Sequence, residues 1–373
     1  MPHDLIAERR VVTESDTDIA QPAESEAAPL HDPDRLLDIC DGVTVGIIVL
    51  CVIFAYLLPF DYTSESAVYH GLMWFAFFTR TFMLHLGGAL LIMAIFALLR
   101  KSRASRWLAV SEVVAAMFLL IPTLVQYLPA SAPPLTAPSL TLTTANLRGT
   151  NATPDEAFKA LLALDADLLL LQEYTPAMHV KFGPDLEAKY PYKITEPREG
   201  FYGQAVYAKV PLGGVTLTQP PLADDDHPLI RFSILLGADR VTIYNLHLRW
   251  QWLQSGRHQF AELMNQLARE TSPVILAGDF NMTNTSPQSA ALVSAGFRDA
   301  ADLLGQGLAA TWPIHRTAEY FAWPGFRIDH VYLSPELTTA DFSLLQTPGS
   351  DHRATTVKIS FTESLNITPH QAR

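Results

Sequence analysis

The stretch that decides the fold is Ile275-Leu276-Ala277-Gly278-Asp279-Phe280-Asn281. A short apolar run from Pro273 to Ala277 is typical of a buried β-strand. A glycine ends the run, and the polar side chains of Asp279 and Asn281 follow at once. On a strand that leaves its sheet, this spacing of two puts both side chains on one face. An ordinary Asx-type turn is the alternative, and the motif alone does not separate the two.

Strand and helix patterns alternate on both sides of this stretch, between Ser139 and Phe361. Apolar or alternating runs such as Asp167–Gln172 predict strands. Amphipathic segments such as Gly256–Glu270, with Phe260 and two leucines on one face, predict helices. Interleaved helices and many strands predict an α/β sandwich with mixed sheets.

Polar side chains recur where the predicted strands end. Each of them alone has a plain structural explanation, such as a turn or a helix cap. Together, at successive strand ends, they indicate a site built from the loops at one edge of a rigid sheet. These residues are Asn146, Glu173, Asn245, His247, Asp279, Asn281, Asp329, His330, Asp351 and His352.

The first third of the chain has a different composition. Hydrophobic residues make up 49% of the whole chain and charged residues only 17%, a balance that favours a membrane protein. Three apolar stretches, at about 42–60, 80–99 and 107–128, are each long enough to cross a hydrocarbon core of about 30 Å. Buried helices of a soluble domain are the alternative, which three such stretches in a row disfavour. We therefore predict an all-α region of three transmembrane helices over 39–128.

The flanking segments predict the topology. Residues 1–38 contain 10 Asp and Glu against 3 Arg and predict a disordered acidic tail. The connector Arg100–Arg106 is dense in positive charge, so it and the tail are expected in the cytoplasm of a bacterium. A proline-rich linker at 129–138 then leads to a domain at 139–361 in the periplasm or outside the cell. Residues 362–373 form a C-terminal tail.

Seven short motifs follow one another in an order known from one family: Asn146, Gln172-Glu173, Gly203–Lys209, Asn245-Leu246-His247, Gly278-Asp279-Phe280-Asn281, Ile328-Asp329-His330-Val331 and Ser350-Asp351-His352. On these motifs the chain resembles the endonuclease/exonuclease/phosphatase superfamily, which has the DNase-I-like fold. Its layout also resembles bacterial members with three N-terminal membrane helices. The resemblance implies a four-layer sandwich of two mixed β-sheets flanked by helices, and hydrolysis of phosphoesters that depends on a divalent metal.

The resemblance also implies a metal site. Glu173 is the expected ligand, with Asn146 beside it and Asp351 as a further ligand. Oxygen ligands of this kind suit a hard cation that offsets the charge of a phosphoester. Mg²⁺ is the expected ion, and Mn²⁺ or Ca²⁺ are alternatives.

Five residues take catalytic roles by the same resemblance. His352 is expected as the base or as a clamp on the phosphate, with Asp329 holding its ring by a hydrogen bond. Asp279 would orient or deprotonate the attacking water. Asn281 would donate to a phosphoryl oxygen, and His247 would contact the phosphate and protonate the leaving oxygen. Which of Asp279, His247 and His352 is base or acid stays open at this point.

The sequence leaves several substrates open. A lipid headgroup or small phosphoester is one class of substrate, and a nucleic acid cut by an extracellular or periplasmic nuclease is another. A non-catalytic sensor on the same fold is a third function. Residues 141–373 carry 24 Asp and Glu against 18 Lys and Arg, so they lack the basic footprint of a duplex-binding protein. Local arginines and aromatic residues still suggest a groove: Arg148, Arg249, Arg257, Arg327, Arg353, Trp250, Trp252, Phe321, Trp323 and Phe326.

Overall fold

The computed structural model describes residues 33–61, 64–100, 102–129, 137–218, 227–251, 253–314 and 324–362. Most of the predicted acidic tail and proline-rich linker lies outside these residues, as does all of the C-terminal tail except Thr362. Three residues predicted to line a groove, Trp252, Phe321 and Trp323, also lie outside them.

The N-terminal region consists of four helices, α1 (Pro33–Leu57), α2 (Ala67–Thr81), α3 (Met83–Leu99) and α4 (Arg103–Val125). Helices α1 and α4 are each long and apolar enough to cross a membrane. Helices α2 and α3 together form a third candidate span, which is bent by 61° at the break between them. The sequence suggested only a connector over 61–80, and most of it is helix α2.

A polar cluster joins one end of the helices. The guanidinium of Arg100, at the end of α3, pairs with Asp38 at 3.0 Å and with Asp41 at 2.5 Å, both on α1. The hydroxyl of Ser105, near the start of α4, donates to Asp38 at 2.8 Å. These bonds fix the ends of three helices at the basic connector.

Strands and helices alternate through the rest of the chain, close to the predicted positions. They are β1 (Ser139–Asn146), α5 (Pro154–Ala163), β2 (Leu168–Gln172), α6 (Pro176–Lys189), β3 (Tyr192–Glu196), β4 (Gln204–Ala208), β5 (Gly213–Thr218), β6 (Leu229–Leu236), β7 (Asp239–His247), α7 (Gln254–Leu267), β8 (Val274–Asp279), α8 (Pro287–Ser294), β9 (Arg298–Asp299), α9 (Ala300–Leu303), β10 (Asp329–Leu333), β11 (Leu337–Gln346) and β12 (Arg353–Phe361).

The strands form two six-stranded sheets. The first sheet has the order β11-β12-β1-β2-β4-β3, and the second has the order β5-β6-β7-β8-β10-β9. Each sheet contains one parallel pair at its centre, β1 with β2 and β7 with β8. The other neighbours run antiparallel. The predicted α/β sandwich of two mixed sheets flanked by helices is confirmed.

The apolar run on β2 explains the layering. Leu168 and Leu170 face the core between the two sheets, and Leu169 and Leu171 face the opposite side, where α5 and α6 pack. A strand buried on both faces needs apolar residues at every position, which is why this run does not alternate. The second sheet is covered on its outer face by α7 and α8.

Helix α2 completes that outer layer. Phe77 of α2 is buried in the same apolar cluster as Tyr244, Phe260 and Tyr332 of the sandwich. Phe60, just after α1, lies edge-on to Phe260 with ring centroids 6.0 Å apart. The N-terminal helices and the sandwich therefore share a core.

Replacing Phe77 by alanine should weaken this shared core. Large-to-small changes of a buried phenylalanine cost about 3–5 kcal/mol. We expect F77A to lower the melting temperature of the full chain in detergent by several degrees. Val68 on the same helix is 75% exposed, so V68A is the matched control and should melt like the unaltered chain. Equal melting temperatures for F77A and V68A would show that the packing of α2 contributes nothing.

Candidate active site

The parallel pairs bring four polar residues to one edge of the sandwich. Asn146 is the last residue of β1, and Glu173 directly follows β2. His247 ends β7 and lies opposite Asp279, which ends β8. The carboxyl ends of paired parallel strands lie at the same edge of a sheet, so the side chains at those ends meet there.

Antiparallel neighbours add residues that begin their strands at the same edge. Asp329 is the first residue of β10 and pairs in register with Asp279. His352 directly precedes β12, which runs antiparallel to β1. The hydroxyl of Ser350 donates to the carbonyl of Asn146 at 2.8 Å and fixes this segment beside β1. Residues far apart in sequence thus converge through sheet topology alone.

Asn146 connects the two sheets at this edge. Its Nδ2 donates to Oε1 of Glu173 and to Oδ2 of Asp279, both at 3.0 Å. Its Oδ1 accepts from the backbone N–H of Arg148 at 2.9 Å. The second oxygen of Glu173 accepts from the backbone N–H of Gly149 at 2.6 Å. The amide of Asn146 is therefore fixed in orientation, with its donor aimed at two carboxylates.

Two histidines approach the same oxygen of Asp279. Nε2 of His247 lies 3.6 Å and Nε2 of His352 lies 3.8 Å from Oδ2. The other ring nitrogen of His352, Nδ1, is hydrogen-bonded to Asp329 at 2.9 Å. Asp329 therefore orients His352 so that its free nitrogen points toward Asp279.

Burial shifts the titration of this cluster. Burial raises the pKa of Asp279 to about 7, and the neighbouring charge of Asp329 adds to the effect. Burial disfavours the charged ring of His352, but the carboxylates of Asp329 and Asp279 outweigh this and raise its pKa to about 10. Burial also raises the pKa of Glu173 and lowers that of His247 well below its ordinary value. These shifts favour the charged ring of His352 and the neutral ring of His247.

The cluster has more acidic groups than positive ones. Glu173, Asp279 and Asp329 are all buried, and His352 is the imidazolium that faces them. Oδ1 of Asp329 has no hydrogen-bond partner among the described residues. Buried carboxylates are costly unless paired or bound to a cation. This donor set fits a hard divalent cation, which prefers oxygen ligands.

Within the described part of the chain, one group of acidic and histidine residues has the spacing of a metal site. Ligand atoms of Asp279, Asp329 and His352 lie within 4.8 Å of one another. Of the expected metal ligands, Asn146 and Glu173 adjoin this group through the amide of Asn146. Asp351 has other partners: its Oδ2 accepts from the indole N–H of Trp312 at 3.2 Å, and Arg148 lies 3.9 Å from its Oδ1.

The Gly278-Asp279-Phe280-Asn281 motif is both the end of a strand and an Asx turn, the two interpretations that the sequence allowed. Strand β8 continues through Gly278 to Asp279, two residues further than the apolar run. The backbone N–H of Asn281 then donates to Oδ1 of Asp279 at 2.8 Å, which makes an Asx turn. Asn281 has a left-handed φ of 50°, and its Nδ2 donates to the carbonyl of Leu248 at 2.9 Å. Its amide is therefore held beside Asp279 and the end of β7.

His227 is a site residue that the sequence analysis missed. Its ring stacks on the ring of His247, with centroids 4.0 Å apart and planes inclined by 20°. Burial, and then the nearby positive charges of Arg249 and Arg198, lower the pKa of His227 to about 3. The available signal was a histidine two residues before β6, but no motif surrounds it.

A pair of amides links the two sheets beneath the site. Nε2 of Gln172 donates to Oδ1 of Asn245 at 2.7 Å. The amide of Asn245 in turn donates to the carbonyls of Leu171 and Ala205. These buried bonds hold the ends of β2 and β7 together, directly behind Glu173 and His247.

Several residues suggested by the sequence lie outside the site. His330 is buried between Asp299, at 2.6 Å, and the carbonyl of Met282. Arg327 is buried in ion pairs with two aspartates. Phe326 packs edge-on against Phe82 of the membrane region.

Two mixed sheets with a buried polar edge of this composition define the DNase-I-like class of proteins. A family model described as the Endonuclease/Exonuclease/phosphatase family matches residues 143–352, so the chain belongs to that family. Its members hydrolyse phosphoesters. A comparison with curated proteins gives no match.

Several solved structures are similar over the same domain. TDP2 from Caenorhabditis elegans is 19% identical with a TM-score of 0.49, covering 61% of this chain and 100% of that one. The 3'-5' exonuclease NExo from Neisseria meningitidis is 18% identical with a TM-score of 0.47, covering 60% and 100%. An endonuclease/exonuclease/phosphatase family protein from Bacteroides thetaiotaomicron is 21% identical with a TM-score of 0.44, covering 61% and 99%.

Gly278 should tolerate no side chain. Its φ is 142°, and an added Cβ would lie 1.9 Å from the carbonyl oxygen of Leu246 on the neighbouring strand. We expect G278A to destabilise the full chain by about 1–3 kcal/mol, measured as a lower melting temperature. At Gly71, within α2, an added Cβ meets nothing within 4 Å. G71A should therefore stabilise slightly, by about 0.5–1 kcal/mol. Similar melting temperatures for the two variants would contradict this account of the motif.

Proposed function

We propose that the chain is a membrane-anchored phosphoester hydrolase that depends on a divalent metal, with Mg²⁺ as the expected ion. The single observation that carries the proposal is the buried cluster of carboxylates and histidines around Asp279. A phosphoester is an anion that repels nucleophiles, so its hydrolysis needs positive charge at the phosphate and an oriented water. The cluster supplies groups for both tasks, at the edge where the family motifs converge.

The donor chemistry supports a metal at the oxygen-rich side of the cluster. The carboxylate of Glu173 would hold the ion, while Asn146 would need to turn its amide oxygen toward the ion and Asp351 would need to leave Trp312 to join it. When bound, the cation withdraws charge from the phosphoryl oxygens and offsets the buried carboxylates. Mn²⁺ or Ca²⁺ would satisfy the same donors.

The protonation states support an assignment of roles. His352, as an imidazolium held by Asp329, would clamp a phosphoryl oxygen. Asp279, with a pKa of about 7, would orient the attacking water and accept its proton. The new phosphorus–oxygen bond forms as the bond to the leaving group breaks. His247 would contact the leaving oxygen, and Asn281 would donate its second amide hydrogen to a phosphoryl oxygen.

A nuclease acting outside the cytoplasm is the second candidate function. Arg148 follows Asn146 by two residues and keeps 43% of its side chain exposed, so it is available to a nucleic-acid phosphate. A non-catalytic sensor is the third class. The completeness of the cluster favours an enzyme, because a sensor has no need of an imidazolium oriented by a buried carboxylate.

Substitutions at the cluster should abolish hydrolysis by the full chain in detergent. E173Q, D279N and H352A are each expected to lower the rate on bis(4-nitrophenyl) phosphate by about 10²-fold or more, the usual size of a lost base or electrostatic group. EDTA should remove the activity and Mg²⁺ should restore it. Plasmid DNA, RNA and phospholipid vesicles are assayed in parallel to identify the substrate class.

Asp155 provides a matched control, because its side chain is exposed and pairs only with Lys181 in the described structure. D155N should retain full activity. Full activity of H352A, or of the unaltered chain in EDTA, would reject the mechanism. Turnover of DNA alone, with a rate that falls steeply between about 50 and 200 mM salt, would favour the second candidate function, a nuclease.

The topology is also testable. We propose that the acidic tail is cytoplasmic and that the domain faces the periplasm or cell exterior, because Arg100, Arg103 and Arg106 lie at the far end of the helices from the sandwich. Alkaline phosphatase, which is active only outside the cytoplasm, should be active when fused after Arg373. The same reporter inserted within 100–106 should be inactive. The reverse pattern would put the catalytic domain in the cytoplasm.

A further inference from the structure

Helices α1, α3 and α4 each contact the sandwich at the end opposite the one that lies near Arg100, and we call this the outer end. After α1, Phe60 meets Phe260. At the α2–α3 break, Phe82 meets Phe326 with ring centroids 5.4 Å apart. After α4, the carbonyl of Gln126 accepts from the N–H of Gly307 at 2.9 Å. Three independent contacts seat the sandwich directly on the helices.

These contacts lie at the active end of the sandwich. Phe326 precedes Asp329 by three residues, and Thr285 follows Asn281 by four. The guanidinium of Arg80 donates to the carbonyl of Thr285 at 2.6 Å, and the hydroxyl of Thr285 donates to the carbonyl of Arg80 at 2.8 Å. Two of the segments that carry site residues, those of Asn281 and Asp329, therefore rest on the N-terminal helices.

Helix α2 separates the domain from the region where lipid would lie. One face of α2 carries Phe77, which is buried in the catalytic core. The opposite face exposes two large apolar side chains, Val68 and Leu72. A helix that is apolar on both sides needs an apolar environment on each. The domain fills one side, and the bilayer surface fits the other.

The loop after β7 extends this apolar surface to the site. Trp250 follows His247 by three residues and is 53% exposed. Its neighbour Gln251 lines a cleft with Phe60, Asp61 and Trp74, so the loop adjoins the outer end of α1. Arg249, beside Trp250, is close enough to act electrostatically on His227 in the site. A half-exposed tryptophan beside an arginine is typical of the layer of lipid headgroups.

We propose that the loop 248–251 and the outer face of α2 form one membrane-contact surface, and that the substrate is a phosphoester carried by a membrane lipid. This inference rests on the proposed function and names its substrate class. Trp250 lies among the headgroups, and Arg249 contacts the phosphate of a lipid that reaches the site along the bilayer surface.

The position of the loop is tested without any assay of activity. Full-length W250C and V180C are prepared with Cys40 and Cys51 changed to serine, spin-labelled, and placed in nanodiscs of phosphatidylethanolamine and phosphatidylglycerol. Val180 is 78% exposed on α6, on the other sheet, and is the matched control. The label at 250 should be more accessible to oxygen and less accessible to a water-soluble nickel chelate than the label at 180. Equal accessibilities overturn the inference.

The substrate class is tested by comparing two substrates. The full chain in vesicles of the same lipids is assayed on those phospholipids and on soluble bis(4-nitrophenyl) phosphate. W250A and R249A should lower the ratio of lipid to soluble turnover by about tenfold. W250F should keep most of the ratio of the unaltered chain, because an aromatic side chain is kept. V180A should leave the ratio unchanged.

The outcomes separate the two proposals. No hydrolysis of either substrate by the unaltered chain rejects the proposed function. Hydrolysis of the soluble ester with no phospholipid turnover, or with a ratio that W250A leaves unchanged, rejects the membrane-borne substrate and keeps the hydrolase. Hydrolysis of plasmid DNA without phospholipid turnover also rejects it.

Discussion

The amide of Asn146 is the contact on which the site depends. It donates to Glu173 on its own sheet and to Asp279 on the other sheet, both at 3.0 Å. Two buried carboxylates without a donor between them would repel each other and separate the ends of the sheets. With the donor in position, the carboxylates stay together at one edge of the sandwich, where they suit a cation that would in turn offset the charge of a phosphoester.

Sheet topology explains why these residues meet. Each sheet has a single parallel pair at its centre, and the polar residues follow the ends of those four strands. Antiparallel strands β10 and β12 begin where the parallel strands end, which brings Asp329 and His352 to the same edge. Gln172 and Asn245 bind each other just behind and keep the two sheets in register. The site is thus supported by rigid strands and depends little on loop conformation.

The N-terminal helices are part of this support. Helix α2 contributes Phe77 to the apolar layer that covers the second sheet, so removal of the helices would expose Phe260 and its neighbours to water. This coupling differs from the expected arrangement of a domain held only by a proline-rich linker. Its consequence is a fixed orientation of the active edge relative to the outer ends of the spans, which a flexible linker would not provide.

The sequence by itself determined the strands, the apolar helices and the set of polar residues at strand ends, because periodicity and chain breaks are local properties. It did not show α2, whose faces are apolar for two different partners, or the burial of Arg327 by aspartates from another segment. It also missed His227 and could not foresee that Asp351 bonds to Trp312. Only the tertiary structure decided these, because charge, burial and protonation depend on neighbours that are distant in the chain.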